Sequence, residues 1–194
     1  SSDLVQEALD SGATPDDILD SMMAAMDEVG LKFQNNEIYV PEMLVSAKTM
    51  QRGVAAIKPL LAGDAVGKMG KYIIGTVAGD LHDIGKNLVA LMLKNYGFNV
   101  IDLGKDVPKE KIVEAAIEND AAVIALSALM TTTMKEMKNV VDYAHEKNIK
   151  AKIIIGGAVV TEDYALEIGA DGYSEDASGA VKVAKRIVEQ LRGE

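Results

Sequence analysis

Five short runs of apolar and β-branched residues, each followed by a stretch with helical spacing, constrain residues 71–194 more than any other feature. The runs lie at 72–77, 98–103, 121–126 and 152–155, with a short one at 171–173. They are nearly continuous in apolar character rather than alternating with polar residues, as strands buried on both faces must be. Between them lie helical segments at 88–96, after Pro108, at 132–147, at 161–168, and a last one ending near Leu191.

This alternation predicts a parallel sheet with helices on both faces, a doubly wound, flavodoxin-like α/β domain of five strands over residues 71–194. Ligands of such folds sit beyond the carboxyl ends of the strands, near the point where strand order reverses. The loops after the first, third and fourth strands are therefore the place to look for chemistry.

Residues 1–61 read differently, as a small helical bundle. A short first helix carries Leu4, Val5, Ala8 and Leu9. Thr14-Pro15-Asp16-Asp17 supplies an N-cap, a proline at the first helical position and acids in the first turn. Ile18, Met22, Met26 and Val29 follow on one face, and Gly30 is expected to end that helix. Pro41-Glu42 opens another, with Met43, Ala47, Met50, Val54 and Ile57 on its apolar side. The Gly-rich stretch 62–70 reads as a linker between the two regions.

The formal net charge of −10 argues against nucleic acid as a partner, because phosphate binding needs a basic footprint. No apolar run is long enough to span a membrane. The start, Ser1-Ser2-Asp3-Leu4, lacks the basic and apolar regions of a secretory signal, so a cytoplasmic protein is expected. Without cysteine there is no disulfide, no thiolate metal site and no cysteine nucleophile.

The three loops hold the distinctive residues. The first reads Asp80-Leu81-His82-Asp83-Ile84-Gly85, the third Ser127-Ala128-Leu129-Met130 followed by Thr131, Thr132 and Thr133, and the fourth Gly156-Gly157. His145, late in a helix beside Glu146 and Lys147, reads as a solvated surface residue. His82 has carboxylates at 80 and 83, and two readings of it stand on local chemistry. It either hydrogen-bonds a carboxylate and finishes a turn, or it is a metal ligand whose tautomer and basicity that carboxylate sets. One imidazole cannot hold a free ion tightly, but it can serve as an axial ligand where a macrocycle brings the other donors. Gly156 and Gly157 suit close approach of a bulky group to the backbone.

Two other motifs fail. Gly79 to Lys86 has one residue too many for a phosphate loop, and Asn87 stands where Ser or Thr would bind magnesium. His82-Asp83 lacks the further histidines of metal-dependent phosphohydrolases.

Taken in order, Asp80, His82 and Gly85, then Ser127 and Leu129, then Gly156 and Gly157 resemble the signature of base-off, His-on cobalamin-binding domains, Asp-x-His-x-x-Gly, Ser-x-Leu and Gly-Gly. With the helical region ahead of it, the whole chain resembles the stand-alone corrinoid proteins of anaerobic methyltransferase systems. It is also similar to the cobalamin module of methionine synthase.

The resemblance implies that His82 is the axial ligand to cobalamin cobalt and that Asp80 is its hydrogen-bonded partner. Ser127, Leu129, Gly156 and Gly157 would line a channel for the displaced nucleotide tail. A hydroxyl at Thr131 or Thr133 would extend the Asp80 network. The implied function is a corrinoid methyl carrier cycling between cob(I)alamin and methylcobalamin. A substrate-specific methyltransferase would load it, and a second methyltransferase would unload it to an acceptor such as tetrahydrofolate. A reductive activation protein would serve as a further partner, and no turnover is expected without partners. The bundle would cap the upper corrin face at rest. Alternatives are an adenosylcobalamin-dependent mutase subunit and a storage or delivery module.

Overall fold

In the computed structural model, residues 2–57, 60 and 70–193 are described, so most of the proposed linker, 62–69, lies outside the described residues. Contacts divide the chain into two units, Ser1–Lys68 with Asn95–Gly97, and Met69–Lys94 with Phe98–Glu194.

The first unit contains α1 (Ser2–Asp10), α2 (Pro15–Gln34) and α3 (Val40–Ile57). Thr14 caps α2 in a capping box: its hydroxyl accepts the Asp17 amide, and the Asp17 carboxylate accepts the Thr14 amide. Gly30 does not end this helix. It is buried within α2, which runs on to Gln34 and stops at Asn35, whose amide reaches back to the Leu31 carbonyl. A helix-interior glycine costs only about 1 kcal/mol, which tertiary packing readily outweighs. Val5, Ile18, Leu19 and Ile57 form the centre of this unit's core.

The second unit is a five-stranded sheet in the order β2-β1-β3-β4-β5, every pair parallel. Its strands are β1 (Lys71–Thr76), β2 (Asn99–Asp102), β3 (Val123–Ser127), β4 (Lys152–Gly156) and β5 (Gly172–Ser174). The intervening helices are α4 (Ile84–Asn95), α5 (Lys109–Glu118), α6 (Thr131–Glu146) and α7 (Glu162–Ile168), and α8 (Ala177–Arg192) closes the chain. This is the expected flavodoxin-like order, with the reversal between β1 and β3.

One sheet face presents Ile73, Ile124, Leu126, Ile153 and Ile155 to Ile112 and Val113 of α5 and to Met137, Val140 and Val141 of α6. Tyr72, Ile74, Val123 and Ile154, one residue out of phase, are buried as well. Burial on both faces is what turned the strands into continuous apolar runs.

The α4 helix begins at Ile84, earlier than expected, and places Gly85 in its first turn. Asp83 provides the carbonyl that accepts its first helical bond, from the Asn87 amide at 2.8 Å.

At the carboxyl edge of the sheet, Ser127 pairs in register with Thr76 on one side and Gly156 on the other. The backbone passes so closely here that a Cβ on Gly156 would lie 2.7 Å from the Ser174 carbonyl oxygen. On Gly157, with φ +139°, a Cβ would lie 1.9 Å from the Ala128 carbonyl oxygen. Both glycines are thus required by the chain's own packing before any ligand is considered. Gly157→Ala should cost roughly 3 kcal/mol or more, combining a left-handed backbone with a backbone clash. Chemical denaturation of the variant against the parent chain measures this, and a cost under about 1 kcal/mol would contradict it.

Candidate functional site

The chain leaves β1 through a tight turn. Val77 bridges to Val107 beyond β2 and donates its amide to the Ser127 carbonyl at 3.1 Å. Gly79 takes a left-handed conformation, φ +77°, and the Asp80 amide folds back onto the Val77 carbonyl at 3.1 Å. The turn drives the Asp80 side chain fully inside, at 0% exposure.

A carboxylate there survives only if its lone pairs are satisfied. Four donors do so. Oδ1 accepts the His82 amide at 3.0 Å and lies 2.8 Å from His82 Nδ1. Oδ2 accepts the Leu129 amide at 2.8 Å and the Thr133 hydroxyl at 2.6 Å. Burial pushes the Asp80 carboxyl up, but the bonds from Thr133, the His82 amide, the Leu129 amide and the His82 ring outweigh it. They hold the carboxyl well below the usual carboxylate range.

With Asp80 ionised, Nδ1 of His82 must carry the proton, which leaves the Nε2 lone pair available. The ring is half exposed. Thr76, fully buried, donates its hydroxyl to the His82 carbonyl at 3.3 Å and fixes the backbone behind the ring. Among the described residues no group of three or more His, Cys, Asp or Glu side chains could hold a metal ion. His82 is therefore a lone nitrogen donor, suited to a metal that arrives with its other ligands.

The structure distinguishes the candidate threonines. Thr131 opens α6 and is exposed, whereas Thr133 is buried in line with Met137, Val140 and Ala144. Only Thr133 reaches Asp80. Its hydroxyl also lies 3.0 Å from the Met130 carbonyl. With one proton to give, it favours the closer, charged acceptor. Leu129 contributes through its amide, while its side chain stays exposed at the rim. Leu81 and Ile84, flanking His82, are exposed as well, Ile84 at 87%.

The remaining candidates are placed as follows. Ser127 is half-buried at the end of β3, next to Gly156. The Ala128 amide donates to the Gly156 carbonyl at 3.3 Å, so the three loops do converge on one rim. Gly85 is exposed, with open space around the position of a Cβ. His145 is exposed at the end of α6.

Sequence reasoning missed Lys86. It is buried, and its ammonium meets both oxygens of Asp102 at 2.7 and 2.6 Å and the Asn87 side-chain oxygen at 2.7 Å. A lysine this deeply buried and charged needs such a partner.

No helix of the described residues is long and apolar enough to cross a membrane. Comparison with known proteins gives matches over both units. A B12 binding domain family matches residues 70–182, and a second family of the same description matches residues 2–58. The dimethylamine corrinoid protein of Methanosarcina barkeri is 43% identical over 178 residues, covering 90% of this chain and 84% of that protein. A crystal structure of a cobalamin-binding protein from Desulfitobacterium hafniense DCB-2 gives a TM-score of 0.83 at 30% identity, covering 95% of this chain and 89% of that one. The methanol:cobalamin methyltransferase complex of Methanosarcina barkeri contains a chain with a TM-score of 0.81 at 34% identity, over 94% and 71% of the respective lengths.

Asp80→Asn replaces one acceptor oxygen by an amide that faces donors, and should cost about 2–4 kcal/mol at neutral pH. Because the folded carboxyl titrates below its unfolded value near about 3.9, its contribution is complete above that value and fades as pH falls below it. The stability gap between the parent chain and Asp80→Asn should therefore hold from pH 7 to about pH 5 and narrow below about pH 4. Urea titrations across that range check the sign; a gap that widens on acidification would contradict it.

Proposed function

The chain belongs to the B12-binding corrinoid proteins, and from that premise we propose that it is a methyl carrier in which His82 would hold the cobalt of cobalamin. Cobalamin is the cofactor of this family, and methyltransferase systems are where its relatives act. The observation that carries the role of His82 is its Nε2 lone pair, left available on a half-exposed ring whose Nδ1 is bound by a buried, four-donor carboxylate. The donor set fits the group: one ring nitrogen, no group of three or more metal-ligating side chains among the described residues, and a rim with exposed apolar side chains at Leu81, Ile84 and Leu129.

Bound cobalamin supplies a cobalt that accepts a methyl group when reduced and releases it to a second acceptor. The residues supply position. Asp80 fixes the tautomer and orientation of the His82 ring. Thr133 and the Leu129 amide keep Asp80 ionised. His82 is therefore a tuning ligand and attacks no substrate.

Ser127, Leu129, Gly156 and Gly157 are proposed to lie along the nucleotide tail. Their support is the motif together with their shared rim at the carboxyl edge of the sheet. A substrate-specific methyltransferase would load the carrier, in line with the methyltransferase complex to which the chain is similar. A second methyltransferase passing the methyl group to tetrahydrofolate or a similar acceptor, and a reductive activation protein, complete the proposed set.

Two measurements test this reading. Reconstituted with cobalamin and poised as Co(II), the protein should show axial nitrogen splitting that changes from triplet to doublet when histidine is labelled with nitrogen-15, and His82→Ala should lose it. Splitting indifferent to the label would remove His82 from the metal.

Gly85 gives the second test. With open space around it in the first turn of α4, Gly85→Ala should stabilise the cofactor-free chain by about 0.5–1 kcal/mol. The same substitution should weaken cobalamin binding if the corrin approaches this turn. Unchanged affinity, measured by calorimetry, would exclude Gly85 from the cofactor site.

A further inference from the structure

The segment between β2 and α5 grips the His82 loop at both ends. At the first end, the Asp106 carboxylate accepts the Gly79 amide at 2.7 Å, and the Asp106 amide donates to the Asp80 carbonyl at 3.0 Å. Asp106 thus holds the Gly79-Asp80 stretch through one donor and one acceptor. To do so it adopts a left-handed backbone, φ +54°, which non-glycine residues rarely take and Asp and Asn tolerate best. The segment is itself tied to β1, with the Thr76 amide on the Gly104 carbonyl and the Val107 amide on the Thr76 carbonyl, both at 3.0 Å. At the other end, Asp102 pairs with buried Lys86 in α4 and accepts the Gly104 amide at 2.9 Å. In sequence, His82 lies between these two anchors.

We propose that Asp106 is a positioning residue for the histidine ligand. By fixing the backbone of Asp80 from outside, it sets where the Asp80 carboxylate points and so the fraction of His82 that ligates the metal. The Asp80 side chain is gripped by Leu129 and Thr133 from the β3–α6 side. Its backbone is gripped by Asp106 from the β2–α5 side. The Asp80 amide also folds back onto the Val77 carbonyl. Losing the Asp106 carboxylate frees the Gly79 amide and loosens the turn that carries Asp80, and the His82 amide bond to Oδ1 loosens with it. The inference rests on His82 being the axial ligand, but its first consequence is visible without cofactor.

Three substitutions separate the contributions. Asp106→Ala removes the carboxylate and disfavours the backbone conformation, Asp106→Gly removes only the carboxylate, and Asp106→Asn keeps both the acceptor and the tolerance for positive φ. In the cofactor-free chain, hydrogen exchange at the Gly79 and His82 amides should accelerate about tenfold or more in the Ala and Gly variants and return near the parent value in Asn. An unchanged His82 amide in both Ala and Gly variants overturns the proposal. In the cobalamin-loaded protein at Co(II), the histidine-derived splitting should diminish in Ala and Gly and recover in Asn; equal splitting in all four proteins also overturns it. If the parent protein itself shows no histidine-derived splitting, the axial role of His82 fails, and the cofactor-free exchange still decides whether Asp106 positions the loop.

Discussion

The buried carboxylate of Asp80 is the constraint on which the rest of the site depends. A charge at full burial is tolerated only when its surroundings are built around it, and here four donors come from two loops that meet at the reversal point of the sheet. The order β2-β1-β3 makes this possible, since it sets the ends of β1 and β3 side by side. Breaking the register of either strand would strand the carboxylate without half of its partners. The charge in turn defines the tautomer of His82, so the fold reaches the reactive nitrogen through one hydrogen-bonded side chain.

The glycines show a different kind of dependence. Gly156 and Gly157 carry a motif associated with a ligand, yet each is already demanded by a carbonyl oxygen where a side chain would stand. Gly85 is the reverse case, with no neighbour that excludes a side chain. A glycine without a packing reason on a functional rim points more directly to a ligand than one that the backbone requires.

Much of the fold was legible because burial on both sheet faces writes itself as apolar runs, because Thr14 caps α2 as capping chemistry dictates, and because Pro108 stands immediately before α5. The α4 helix starts before the expected 88 because the Asp83 carbonyl, within the His82 loop, accepts its first bond, a contact that no propensity announces. Gly30 was misread because a weak local propensity lost to packing. At the site, Asp80 and His82 were legible as adjacent polar residues in a loop. The choice between Thr131 and Thr133 needed the orientation of α6, and the Leu129 amide is invisible in any sequence, because every residue but proline carries one. Lys86 with Asp102 and Asp106 with Gly79 are 16 and 27 residues apart, distances at which only the folded sheet brings partners together.

Thr133 has a last consequence. Its hydroxyl lies within reach of both Asp80 and the Met130 carbonyl three residues earlier. Were Asp80 to lose its charge, the Thr133 proton could swing to Met130 by rotating one O–H bond, with every heavy atom in place. The Thr133 side chain can therefore keep its hydroxyl partnered whether or not Asp80 is charged, without repacking the interior that surrounds it.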